Sequence, residues 1–288
     1  MKLFCFGFGY TANTLVDRIG GRDIAIAGTR TRADIDATKG IDIAAYRGDG
    51  RNAKVAALLA NTTHVLVSIP PDLEGCATAR DFGADLAALP DLAWIGYLST
   101  IGVYGDAKGG WVDEDTPANP QSERSLKRLR AENQWRAFGQ THKKHVDIFR
   151  LPGIYGPGRS MIEALRSGTA KRIIKPGQVF NRIHADDIAL ALDAAMTAAK
   201  PRQPGFGLYN VTDDEPSPPQ DVVVYAAELL GLLPPPEIAF ADAKLSPMGS
   251  SFYAESKRVR NTRLKLVFGL SLQFPTYREG LVSILTSR

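Results

Sequence analysis

The sequence predicts an α/β fold, a doubly wound parallel sheet with a smaller C-terminal region. Three observations predict it. Short apolar runs alternate with segments of helical spacing through the first half of the chain. A glycine-rich turn joins the first run to the first helix, and beyond Pro152 the alternation loosens as glycine and proline become frequent. Strands that alternate with helices pair in parallel through right-handed crossovers, which leaves helices over both faces of the sheet.

Each element follows from its local pattern. Candidate strands cover residues 2–6, 23–28, 42–46, 64–69, 93–99 and 146–151, short and almost continuously apolar, as strands buried on both faces are. Between them, Leu15, Val16 and Ile19 form one helical face, and Val55, Leu58 and Leu59 form another. Two later helices stand out. One covers residues 186–199, with Ile188, Leu190, Leu192 and Ala195 inward. The other covers residues 217–231, with Ser217 as N-cap, Pro218 at the first helical position, and Gly231 with prolines 234–236 as its stop.

Composition narrows the class. With 288 residues, 44% of them apolar, the chain can bury a core that needs neither disulfide nor metal, and wholesale disorder is excluded. Cys5 and Cys76 make no disulfide framework and no zinc spacing. The net charge of +4 suits phosphate ligands. The basic runs Arg124-Lys127-Arg128-Arg130 and Lys257-Arg258-Arg260-Arg263-Lys265 lack the interleaved aromatics and reader fold of a nucleic-acid surface. No apolar run reaches the roughly 18–20 residues of a membrane helix. The apolar N-terminal stretch is broken by Gly7 and Gly9 and runs into Asp17-Arg18, unlike a secretory leader. The expectation is a cytoplasmic protein acting on a small molecule, with no nucleic acid, membrane or metal.

Gly7-Phe8-Gly9-Tyr10-Thr11-Ala12 reads G-x-G-x-x-A between the first strand and the first helix. The first glycine permits the tight turn, the second lets a pyrophosphate approach the backbone, and the small third residue lets helix pack on strand. The amides at Tyr10, Thr11 and Ala12 then meet the phosphates at the positive end of the helix. At the end of the second strand a carboxylate would favour NAD. The chain instead carries Thr29-Arg30-Thr31-Arg32, with no acid before Asp34, and guanidinium forks suit a 2′-phosphate. NADP is therefore expected, with NAD the alternative.

Further motifs follow in order: Gly48-Asp49, then Ser99-Thr100-Ile101-Gly102-Val103-Tyr104-Gly105, then Leu151-Pro152-Gly153-Ile154-Tyr155-Gly156-Pro157-Gly158, then Arg182-Ile183-His184-Ala185-Asp186-Asp187 and Tyr209-Asn210-Val211. In this set the chain resembles the extended short-chain dehydrogenase/reductase superfamily, the NAD(P)-dependent epimerase/dehydratase group. The resemblance implies a Rossmann-type cofactor domain over residues 1–155, to which the segment near 183–212 returns, and a smaller substrate-binding region over 156–288. It implies that Asp49 meets the adenine, that Ser68, Ile69 and Pro70 line the cofactor after the fourth strand, and that Pro152 lies beside it after the sixth. It also implies a homodimer through the helices at 76–88 and 124–142, with Leu126, Leu129 and Trp135 as the apolar residues of the second.

One motif departs from the family. The family's Tyr-x-x-x-Lys pair supplies an acid/base tyrosine and a lysine that holds the nicotinamide ribose. Pro120-Gln121-Ser122 and Glu132 set the register here, and they put Arg124 and Arg128 at those two positions. The i, i+4 spacing keeps both on one helical face, so Arg128 retains an electrostatic role. Arg124 cannot shuttle a proton, because a guanidinium stays protonated above pH 12. Thr100 and Tyr104 are the remaining candidates for substrate contact and for a replacement acid. Arg182 is a candidate phosphate reader or an ion-paired arginine, and His184 reads as structural. The implied activity is that of an atypical NADP-dependent reductase or epimerase/dehydratase of a sugar-nucleotide-like or other polar substrate. The alternative is a non-catalytic NAD(P) sensor.

Overall fold

The computed structural model describes residues 1–32, 40–198 and 204–286. Seven parallel strands make the central sheet: β1 (Lys2–Phe6), β2 (Ala25–Arg30), β3 (Asp42–Ala45), β4 (His64–Val67), β5 (Trp94–Thr100), β6 (Val146–Leu151) and β7 (Phe206–Asn210). Their spatial order is β7-β6-β5-β4-β1-β2-β3. The order reverses between β1 and β4, and in open parallel sheets such a switch point marks the ligand crevice at the carboxyl ends of the strands. Helix α1 (Tyr10–Ile19) follows the glycine turn, and α2 (Ala53–Leu59), α3 (Ala77–Ala88) and α4 (Glu123–His142) are the next crossovers.

Two apolar layers sandwich the sheet. Leu15, Val16 and Ile19 of α1 join Ile188, Leu192 and Met196 against one face. Val55, Leu59, Phe82, Leu86 and Trp135 fill the other. The remaining helices are α5 (Met161–Arg166), α6 (Ala185–Ala198), α7 (Pro219–Leu229), α8 (Pro247–Tyr253), α9 (Thr262–Phe268) and α10 (Tyr277–Thr286). Small two-stranded sheets accompany them, one joining Gly153–Tyr155 to Arg182–His184. Tyr155, Ile162, Val222, Tyr277 and Leu281 form a separate core for this smaller part.

Several expectations change. The second strand is shifted from 23–28 to Ala25–Arg30, because Lys2 pairs with Ala25 and β3 continues the pairing as far as Arg30. The shift carries Thr29 and Arg30 into the strand. Ser217 does not cap α7. Its backbone pairs with Phe180 in both directions, at 2.9 and 3.1 Å, so Pro218 takes the cap position and Pro219 opens the helix. Trp135 is fully buried, which removes it from any subunit interface and leaves Leu126 as the exposed apolar residue of that set. Residues Asp34 and Ala199 lie outside the described residues. Among the described residues no helix is long and apolar enough to cross a membrane.

Candidate functional site

The glycine turn is held from below. Gly7 sits at φ +89, where a side chain is strained, and a Cβ there would lie 2.7 Å from Ser68 Oγ and 2.8 Å from Ile69 Cγ2. Gly7 N–H donates to Thr29 Oγ1 at 3.0 Å, Phe8 N–H donates to the Thr29 carbonyl at 2.6 Å, and Ser68 Oγ donates to the Gly7 carbonyl at 2.5 Å. Thr29, Ser68 and Ile69 thus fix the shape of the turn, and Thr29 is buried while doing so. Gly9 is the opposite case. It is exposed, a Cβ there would meet nothing within 4 Å, and it caps α1 with no side-chain hydrogen bond and no acid in the first turn. Open space over an uncapped helix N-terminus fits a pyrophosphate. Ala12, fully buried, lets α1 lie close on the sheet. The Tyr10 hydroxyl donates to the Pro157 carbonyl at 3.1 Å and fastens the loop after β6 to the start of α1. That loop contains Pro152, which is half-buried.

The adenosine end gathers arginines. Arg30 Nε donates to the Phe8 carbonyl at 2.8 Å while its guanidinium lies 5.5 Å over the Phe8 ring, so the group is fixed beside the turn. Arg32 is exposed two residues on. Arg47, after β3, donates from Nε to the Thr31 carbonyl at 3.0 Å and adds a third cation that the sequence reading missed. The register of β2 on β3, with Arg30 opposite Ala45, brings Arg47 there, and no local motif signals it. Asp49 is exposed in the loop whose neighbours Gly48 and Gly50 bond to Arg80 and Asp81. Pro70 is exposed just past β4.

At the far end of the crevice, Thr100 closes β5 and its Oγ1 accepts from Gly102 N–H at 3.1 Å. Arg128 Nη1 donates to the Leu98 carbonyl at 2.7 Å and to the Tyr97 hydroxyl at 3.3 Å, which anchors it to β5. Arg124, four residues earlier on α4, reaches toward the smaller part of the protein, and its guanidinium lies 5.6 Å over the exposed Phe252 ring of α8. Burial and the neighbouring Arg128 charge both lower the Arg124 pKa. The structure does not bring Tyr104 to a free position. It is buried, its hydroxyl donates to Asn210 Oδ1 at 2.8 Å, and Arg150 lies 4.6 Å over its ring. Burial raises its pKa. Arg150 is bound twice by Glu132, at 3.1 and 2.7 Å, and Glu132 also accepts from Ser99 at 2.5 Å, so this cluster is a closed structural network. His184 is buried too, with Nδ1 accepting from Asp186 N–H at 3.2 Å, and burial lowers its pKa against the pull of Asp186. Arg182 is no surface ion pair. It lines a cavity of about 550 Å³ with Tyr155, Met161, Val222 and Tyr277, and its Nη1 donates to Ser217 Oγ at 2.7 Å.

Comparison with known proteins follows this geometry. Residues 88–211 match the model of the NAD dependent epimerase/dehydratase family. A solved, functionally unknown conserved protein from Silicibacter pomeroyi DSS is 42% identical, with 99% of this chain and 98% of that one superposing at a TM-score of 0.85. The chain belongs to the NAD-dependent epimerase/dehydratase family. Protein YeeZ of Escherichia coli K12 is 28% identical over 249 residues, which cover 81% of this chain and 85% of YeeZ. The structure of MoeE5 in complex with UDP-glucuronic acid and NAD shares the fold at a TM-score of 0.80 and 21% identity, covering 99% and 97% of the two chains. The family assignment makes this an NAD(P)-binding protein, and the glycine turn above is where its residues fit the cofactor.

Proposed function

We propose that this chain binds NADP in preference to NAD and acts in the cytoplasm, as a homodimer, as a reductase or epimerase/dehydratase of a sugar-nucleotide-like or other polar substrate. The observation that carries the reading is the pairing of an uncapped, open glycine turn with Arg30, Arg32 and Arg47 at the adjoining strand ends. Bound there, the nicotinamide supplies the hydride chemistry. The chain's own residues do the rest. Gly9 and the first amides of α1 hold the pyrophosphate, Arg30 and Arg32 take the 2′-phosphate, and Thr100 holds a substrate oxygen at the end of β5. Arg128 sets the electrostatics beside the ribose. Arg124 orients but transfers no proton.

The preference is testable by titrating NADPH and NADH against intrinsic fluorescence. Charge-assisted contacts are worth about 1.5–3 kcal/mol each, so NADPH is expected to bind roughly one to two orders of magnitude more tightly. The double change Arg30→Ala with Arg32→Ala is expected to erase the difference, and equal affinities in the native chain would overturn the reading. Light scattering that reports only a monomer at micromolar concentration would remove the dimer from it. A second reading, a non-catalytic dinucleotide sensor, is favoured by one observation: no titrating hydroxyl stands free at position 124, and that of Tyr104 is sealed against Asn210.

A further inference from the structure

The two basic runs of the sequence are partnered differently. In the C-terminal run Lys257 is ion-paired with Glu255, Arg263 with Asp115 and Lys265 with Asp214, while Arg258 donates to the Gly109 carbonyl and Arg260 lies over Trp111. On α4, Lys127 pairs with Glu123 at 2.6 Å and Arg130 donates to the Leu73 carbonyl. Arg124 and Arg128 remain. Among the described residues neither has a carboxylate partner. The acids of the same helix are engaged elsewhere, Glu123 by Lys127 and Glu132 by two nitrogens of Arg150. The two arginines repel each other, and Arg124 stands in the first turn of a 20-residue helix, whose positive end disfavours cations. Arg128 is fixed to β5, and Arg124 is laid on Phe252 of α8.

From this we infer that Arg124 and Arg128 form an oxyanion clamp, and that the substrate carries a carboxylate or phosphoryl group beside its reacting carbon. The inference rests on the proposed function only in taking this crevice as the substrate site. Two guanidinium forks match the planar oxygens of such a group, and its negative charge relieves the repulsion between them. Thr100 and the buried Ser125, both against Gly102, line the adjoining wall with hydroxyls. The pair at the tyrosine and lysine positions thereby selects a substrate class instead of moving a proton.

The test is calorimetric titration of the full chain with oxalate, with inorganic phosphate and with neutral oxamide, each with and without saturating NADPH. The expected result is binding of at least one of the two anions, none of oxamide, and no displacement by NADPH. The stronger of the two anions then names the group as carboxylate or phosphoryl. Arg124→Gln and Arg128→Gln are each expected to weaken it roughly tenfold or more, and Arg124→Lys to retain part of the affinity. Arg124 lies at the surface, so an unchanged melting temperature for Arg124→Gln certifies the fold. Anion affinity unchanged in Arg124→Gln, no anion binding at millimolar concentration, or simple competition with NADPH would each overturn the clamp. A chain that binds the anion but no dinucleotide would keep the clamp and sink the proposed function instead.

Discussion

The glycine turn after β1 and the start of α4 beside β5 lie at the same carboxyl edge of one parallel sheet, yet they are built on opposite terms. At the turn, Thr29 and Ser68 tie the backbone of Gly7, and Ala12 is buried, while Gly9 alone is left open. At α4, unlike α1, the backbone is capped, Ser122 accepting from Ser125 N–H at 3.2 Å, but Arg124 and Arg128 have no carboxylate partner among the described residues. The first region is finished by the chain itself. The second is electrostatically incomplete. The difference teaches that one sheet edge can carry a turn tied down by buried hydrogen bonds beside a helix start whose arginines lack carboxylate partners among the described residues.

That contrast can be broken or sharpened by experiment. The largest effect is expected at α4. Positioned general acid–base catalysis contributes about 10²–10⁴-fold. The native chain is therefore expected to turn over UDP-, GDP- and dTDP-sugars slowly or undetectably in an assay at 340 nm. The variant Arg124→Tyr with Arg128→Lys is expected to gain by up to that factor. Fast native turnover that survives changes at Thr100, Tyr104, Arg124 and Arg128 would mean that the acid lies elsewhere.

At the turn, two alanines separate shape from ligand. Gly9→Ala puts a methyl into open space, so its melting temperature should stay the same while NADPH binding falls about 100-fold or more, as expected when backbone and pyrophosphate can no longer touch. Gly7→Ala should lose stability as well, by about 1–3 kcal/mol, since it forces a side chain into a strained φ against Ser68 and Ile69. Equal melting temperatures for the two variants would contradict the division of labour drawn here.

A smaller effect lies outside both regions. Asp213 is buried, and burial raises its pKa well above the ordinary value despite the nearby Arg182 and the backbone N–H of Glu215. A carboxyl whose folded pKa is raised binds its proton more tightly folded than unfolded. Its contribution is complete below the ordinary carboxylate range and is lost as pH rises from there through the folded value. Asp213→Asn should therefore remove a decline in stability toward neutral pH, of about 1–3 kcal/mol, measurable by urea unfolding at several pH values. The smallest change is expected from Tyr104→Phe. It deletes one buried hydrogen bond to Asn210, costs about 1 kcal/mol, and should leave activity untouched. A large loss of rate in that variant would return Tyr104 to the chemistry.

By itself the sequence determined what depends on neighbours in the chain. The G-x-G-x-x-A turn, all six expected strands to within two residues at either end, and the i, i+4 spacing of Arg124 and Arg128 are local properties, because turn geometry and apolar period are set within a few residues. The tertiary structure decided everything that needs two distant segments. Strand register extended β2 to Arg30 and carried Arg47 to the same edge. Packing put Trp135 in the core and sealed Tyr104 against Asn210, 106 residues away in the chain. The pairing of Phe180 with Ser217 moved the start of α7 by one residue, since both backbones satisfied their hydrogen bonds across the chain before a cap was needed. Which arginines keep a counterion was likewise decided in space. Charge pairing acts over a few ångströms whatever the separation in sequence, so Lys257, Arg263 and Lys265 found carboxylates while Arg124 and Arg128 found none among the described residues.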